Sequence, residues 1–271
     1  MPEQVFIVFG SASDAGVFEP IKALLEARKI PCFANVLSAH RTPKELEKAL
    51  KKTKAKLFIA GAGLSAALPG VVASQTIRPV IGIACAGAFE GLDSFLATVQ
   101  MPPGVPVLCV NVANHSDAVR HAENYFSGVK KIVLVETPST NKAVLGKAEE
   151  VLNKLGVPFF KTSLMDFSEA KNVYLVFPDL HELETLPKTA ATLIVVPVKI
   201  NNVAQDAELF FRSAKHHLFV GINRGENGAL AAIQFANLSG RSDKKIVAYR
   251  KELAKKVLDS NKELKKKGVG K

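Results

Sequence analysis

The chain has 271 residues, of which 48% are hydrophobic and 23% charged, so it can bury one large or two ordinary domains and is not a disordered polymer. Its net charge of +11 is concentrated at one end, because residues 241–271 hold twelve Lys/Arg against four Asp/Glu and so carry +8 of it. No apolar run of about 18 residues occurs, which excludes a membrane-spanning helix, and the basic end lacks the interleaved aromatic side chains that a nucleic-acid arm uses for stacking.

The first apolar run, residues 5–9, starts so near the N-terminus that no signal peptide is expected, and the cytoplasm is the expected location. It is followed by Gly10-Ser11-Ala12-Ser13-Asp14. Glycine permits a tight turn there. Hydroxyls and free N–H groups at a helix start then make a seat for phosphate, and Asp14 is placed to accept hydrogen bonds from ribose hydroxyls. Simple N-capping by Ser11 or Asp14 is the competing account.

A second apolar run, 32–37, leads into Ser38-Ala39-His40-Arg41-Thr42-Pro43, and Pro43 opens a helix. Histidine moves protons near neutral pH, and arginine holds phosphate in a two-pronged grip. Placed after a strand, the cluster lies where open α/β sheets bind ligands. The third run, 57–60, precedes Gly61-Ala62-Gly63-Leu64-Ser65-Ala66-Ala67-Leu68-Pro69-Gly70, whose small residues let a planar ring approach the backbone or let a helix pack tightly. The runs at 79–85 and 105–112 are predicted strands. Between them Val99-Gln100-Met101-Pro102-Pro103-Gly104-Val105-Pro106 reads as a rigid loop, expected at the same sheet edge as the other turns.

Continuous apolar strands separated by helices predict a three-layer α/β/α arrangement around a parallel sheet. The pattern then repeats. A shift of 127 positions lays residues 6–37 on residues 133–164, and later strands match at smaller offsets. Self-similarity at this length predicts two tandem units, 1–128 and 129–271. On that shift Ser11 falls on Pro138, Asp14 on Asn141, His40 on Phe167 and Arg41 on Ser168, so the second unit is expected to be structural. It closes in a helix over 242–264 with most of its lysines on the wet face and a frayed end at 265–268. Cys32, Cys85 and Cys109 lack metal or disulfide spacing and are expected to be buried and inert. His121, His181, His216 and His217 are read as surface or strand-edge residues, with no metal site.

Together the first-unit motifs, with Gly91-Leu92-Asp93-Ser94, resemble the PurE family, and Arg224-Gly225-Glu226-Asn227 resembles that family's closing turn. The resemblance implies a flavodoxin-like fold. It also implies the activity of the mutase branch, in which N5-carboxyaminoimidazole ribonucleotide becomes the carbon-carboxylated isomer without ATP, metal or biotin. The substrate would be a small ribonucleotide, with His40 as the proton-transfer residue. Ser11, Asp14 and Arg41 would hold phosphate and ribose, with Ser13 and Ser38 nearby. It further implies a homo-oligomer with sites between subunits, for this chain a tetramer, in which the second unit lends Arg224–Asn227 to a site. One departure is Ala67, where the family usually has a second histidine; His115 is the candidate substitute. The alternatives are a ribonucleotide-binding or scaffold protein without turnover, and a direct carboxylase of aminoimidazole ribonucleotide.

Overall fold

The computed structural model describes residues 4–87, 89–112, 114–198 and 204–266. Ten strands form one sheet: β1 (Val5–Phe9), β2 (Cys32–Val36), β3 (Leu57–Ala62), β4 (Val80–Ala84), β5 (Leu108–Val110), β6 (Lys131–Val135), β7 (Phe160–Thr162), β8 (Asn172–Val176), β9 (Thr192–Val195) and β10 (Leu218–Phe219). Their spatial order is β2-β1-β3-β4-β5-β10-β9-β8-β6-β7. All pairings are parallel except β5 with β10, which meet antiparallel through Phe219 and Cys109. The second five strands therefore repeat the order of the first five but run the other way.

Central strands such as β1, with every residue buried, have helices on both faces, and so their sequences carry no polar alternation. One face is covered by α1 (Ala15–Ala27), α5 (His115–Phe126), α6 (Lys142–Lys154) and α8 (Gly225–Ala236), whose Ile21, Leu25, Tyr125, Leu152 and Phe235 share one core with Ile7 and Leu134. The other face carries α2 (Pro43–Lys52), α3 (Ala67–Gln75), α4 (Leu92–Val99) and α7 (Ala204–Ser213). In α2 the pattern is local and complete: Pro43 starts the helix, Leu46 and Leu50 face the sheet one turn apart, and Lys51 and Lys52 complement the carbonyl end. The edge strands β2 and β7 leave Phe33, Val36 and Phe160 exposed.

The last helix, α9 (Asp243–Lys266), covers the expected span, but only its first half packs on the protein: Ile246 is buried, whereas Val257, Leu258 and Leu264 of the expected apolar face are exposed; Lys265 and Lys266 are still helical, while 267 and 268 lie outside the described residues. Cys85 and Cys109 are buried, and burial pushes the Cys85 thiol up to about 12. Cys32 is half-buried rather than buried, because β2 is an edge strand.

The expected place of the proline-rich loop is overturned. The proline-rich loop precedes β5, so it lies at the amino edge of the first five strands, opposite the turns that follow β1, β2 and β3. There it lines a cavity of about 530 Å³ with Ser74, Thr76, Arg250 and Leu253. Because β10 runs antiparallel to β5, the carboxyl edge of the second five strands is on this side too: Gly221, just past β10, sits against Val99 and Gln100.

Candidate functional site

At the carboxyl edge of the first five strands a cavity of about 470 Å³ opens between the turns after β1, β2, β3 and β4. In the order β2-β1-β3 the chain reverses its direction of travel across the sheet, which is where the turns diverge and leave a crevice. The lining includes Ser11, Ser13, Asp14, Ser38, His40, Arg41, Gly63, Ser65 and Ala67. All four residues singled out from the sequence, Ser11, Asp14, His40 and Arg41, thus share one cavity.

The turn after β2 is built by its own hydroxyls. Ser38 Oγ accepts from the backbone N–H groups of His40, at 3.3 Å, and Arg41, at 3.2 Å. Thr42 Oγ1 accepts from Ser38 N at 2.8 Å. These bonds curl the backbone so that His40 and Arg41 are presented outward, exposed to solvent. Arg41 then reaches the neighbouring turn and donates from an Nη to Gly10 O at 2.8 Å. That bond ties the β2 turn to the β1 turn and uses one of the guanidinium's five donors.

In the β1 turn, both accounts of Ser11 hold at once. Its Oγ caps the short 3-10 turn Ala12–Asp14 by accepting from Ser13 N at 3.2 Å and from Ser13 Oγ at 2.8 Å, and it lines the cavity. Asp14 is half-buried, and burial raises its carboxyl above the usual range, partly offset by a backbone hydrogen bond from the Ser11 region. No cation pairs with it among the described residues. The cavity thus offers a cation at one turn and an unpaired carboxylate at the next.

The two glycines after β3 play different roles. A Cβ on Gly61 would lie 2.2 Å from the Phe9 ring, so Gly61 makes room for the side chain of its cross-strand partner on β1, whereas a Cβ on Gly63, which lines the cavity, would meet nothing closer than 3.6 Å. Next to it Leu64 adopts φ +54 and is 67% exposed, a left-handed and apolar residue at the cavity mouth. Ala67 begins α3, which has no side-chain N-cap, and Ala66, Ala67 and Leu68 form one cavity wall.

His115 starts α5 beyond β5 and does not line the cavity. Arg224–Asn227 do not line it either. Asn227 is buried at the opposite edge, where its Oδ1 accepts from Gly104 N at 2.9 Å and its Nδ2 donates to Met101 O and Pro102 O. In the second five strands, Phe167 is buried against Tyr174 and Asn141 caps α6. The hydroxyls of Thr137, Ser139 and Thr140 are taken by Phe177 O and Glu182.

Two of the histidines expected at the surface or at a strand edge lie in the interior, at the seam between the two strand sets, His217 directly ahead of β10. His121 and His217 are fully buried there, beside Asp117, Arg120, Thr192 and His216. Neither helical spacing nor the His216-His217 doublet signals this, because burial depends on the meeting of strands more than a hundred residues apart. Among the described residues there is no cluster of three or more potential metal ligands.

A family model described as AIR carboxylase matches residues 4–133. The N5-carboxyaminoimidazole ribonucleotide mutase of Methanocaldococcus jannaschii is 44% identical over 114 residues, covering 42% of this chain and 73% of that protein. A probable N5-carboxyaminoimidazole ribonucleotide mutase of Methanobrevibacter smithii is 35% identical over 182 residues, 65% of this chain and 53% of that one. The phosphoribosylaminoimidazole carboxylase of Saccharomyces cerevisiae is 37% identical over 154 residues, 55% of this chain and 26% of the yeast protein. Among solved structures, Treponema denticola PurE aligns with 30% identity and a TM-score of 0.42, covering 46% of this chain and 80% of that one. With its site motifs inside the matched residues and nearly three quarters of an archaeal relative covered at this identity, the chain belongs to the AIR carboxylase, or PurE, family of enzymes.

Proposed function

We propose that the chain acts in purine biosynthesis as an N5-carboxyaminoimidazole ribonucleotide mutase, with His40 as general acid/base and Ser11, Asp14 and Arg41 as the residues that hold the nucleotide. The observation that carries this reading is the single cavity shared by those four residues at the strand-order reversal. Arg41 supplies a fixed cation for the phosphate ester, beside the Ser11 hydroxyl at a helix start that favours anions. Asp14 accepts from ribose hydroxyls.

The chemistry needs little more than confinement and one proton carrier. The carbamate C–N bond breaks to give carbon dioxide and the free aminoimidazole, and a proton is delivered to that nitrogen. The ring carbon attacks the trapped carbon dioxide, a C–C bond forms, and the ring proton is removed to restore aromaticity. One proton is given and one taken, so a single imidazole serves both steps. Positioned acid/base catalysis supplies ~10²–10⁴-fold, and holding the gas beside the ring supplies much of the remainder by proximity. The start of α3, uncapped by any side chain, lines the cavity and favours the developing carboxylate.

An ultraviolet assay with either carboxylated isomer tests the reading. Interconversion that does not depend on added bicarbonate, and that His40→Asn abolishes, supports the mutase; turnover only from the uncarboxylated ribonucleotide with bicarbonate supports the direct carboxylase. A second reading, ribonucleotide binding without turnover, is favoured by one observation, the methyl of Ala67 in the cavity wall where the family usually has an imidazole. Binding of the ribonucleotide by the native protein with no interconversion of isomers would establish it.

A further inference from the structure

We propose that the second half of the chain serves as a brace for the site in the first half, and that Arg250 is a positioning residue for the reaction at His40, acting through helix α3. The inference rests on the reading of the cavity just given. None of the cavity's lining residues comes from the second half. Yet the carbonyl end of α3, whose other end forms a cavity wall, takes hydrogen bonds from second-half side chains.

Arg250, on α9, donates to three backbone carbonyls of the first half: Ala73 O at 2.6 Å, Gly104 O at 2.8 Å, and Thr76 O. Two of these lie at the carbonyl end of α3, where a cation also complements the helix dipole. Burial lowers the guanidinium only to about 10, so it remains a cation at neutral pH. Beside it, Gln234 donates to Ile77 O at 3.1 Å, and Asp243 takes both Nη groups of Arg78 at 2.7 and 2.9 Å. Asn227 holds the proline-rich loop, whose Met101 packs against Gly70 in the first half of α3, within 3.1 Å of where a Cβ would lie.

Helix α3 needs such support. It has nine residues, contains Pro69 and Gly70, and has no side-chain cap at its N-terminus. A helix this short is marginal on propensity alone and takes its stability from packing. At 1.5 Å per residue it is a lever of roughly 13 Å between the Arg250 anchor and the Ala66–Leu68 wall of the cavity. A tilt at the anchored end therefore moves the wall, and misplacement of about 1 Å at a reacting centre costs on the order of 10²-fold.

The test compares Arg250→Met, Arg250→Lys and Ile246→Ala in the full chain. Ile246 is buried one turn before Arg250, in the core shared by both halves, so its truncation lowers stability while leaving the guanidinium and its three acceptors in place. At a temperature well below every unfolding transition, Arg250→Met is expected to lower kcat about tenfold or more with KM little changed, Arg250→Lys to recover part of that loss, and Ile246→Ala to keep native kcat. Amide hydrogen exchange over residues 64–72 is expected to rise in Arg250→Met and not in Ile246→Ala. Native kcat and native exchange in both Arg250 variants would overturn the proposal, as would an equal kcat loss in Ile246→Ala. Should Arg250→Met not fold, Arg250→Lys decides by the same two measurements. If the native protein interconverts no isomers, the mutase reading falls, and the exchange arm still decides the brace.

Discussion

His40 reaches the cavity because Ser38 spends its hydroxyl on the two N–H groups that follow it, and because Arg41 spans to Gly10 O. Those bonds assign separable roles. On the proposed reading, replacing His40 by Asn removes the proton carrier and leaves the Ser38 turn intact, so kcat is expected to fall ~10²–10⁴-fold with KM within a small factor; steady-state assay of isomer interconversion checks it. Replacing Arg41 by Met instead removes the cation for the phosphate and the link to the β1 turn. A charge-assisted hydrogen bond contributes ~1.5–3 kcal/mol, so KM is expected to rise roughly 10- to 100-fold while kcat changes little. The residues of this turn were legible from the sequence because hydroxyl, imidazole, guanidinium and proline stand in one six-residue run. The role of Asn227 was not, since the loop it holds lies more than a hundred positions away.

Between elements, the thinnest join is β5 against β10, with a single registered pair. A buried polar cluster reinforces it. Arg120 on α5 donates to Thr189 O and Ala191 O ahead of β9 and to His216 O ahead of β10, and it pairs with Asp117 on its own helix. His121 contacts Thr192 Oγ1 at 3.3 Å, and Asp117 lies 3.5 Å from His216 Nδ1. Burial first, then the charge of Arg120, holds His121 well below the usual histidine range and lowers His217 to about 4. Above about pH 6.5 both folded and unfolded chains carry neutral imidazoles. Between there and about 4 only the unfolded chain takes up the proton, so stability falls as pH falls. For His217 alone the loss is on the order of 3 kcal/mol across that window. Urea midpoints measured from pH 7.5 down to 4.5 are expected to drop accordingly, and His217→Asn is expected to flatten the profile.

Across the whole molecule, the two strand sets repeat one order and run in opposite directions, so their carboxyl edges face opposite ways. We propose that this reflects a tandem duplication divided at 128/129, in which one copy kept the polar cluster. In the second copy Phe167 and Asn141 went to packing and capping, and the hydroxyls of Ser139 and Thr140 are consumed locally. On this view residues 1–128 alone do not make a stable enzyme, because the edge of β5, the buried Arg120 cluster and the carbonyl end of α3 would all lose their partners. Expression of that segment is expected to give aggregated or molten protein with no cooperative unfolding transition, checked by calorimetry and near-ultraviolet circular dichroism. We further propose that the full chain assembles as a homo-tetramer, which light scattering would test.

The sequence by itself determined the alternation of strands and helices and the content of the turn after β2. Apolar runs, proline at a helix start and turn glycines act over a few residues, and continuous apolar strands could lie only in a sheet covered on both faces. Tertiary structure decided the edge on which the proline-rich loop lies, the burial of His121 and His217, and the hold of Arg250 on α3. The loop's edge follows from its place ahead of a strand parallel to β1; the other two follow from the antiparallel meeting of β5 with β10, a long-range pairing that turns one half of the sheet against the other and that no local pattern encodes.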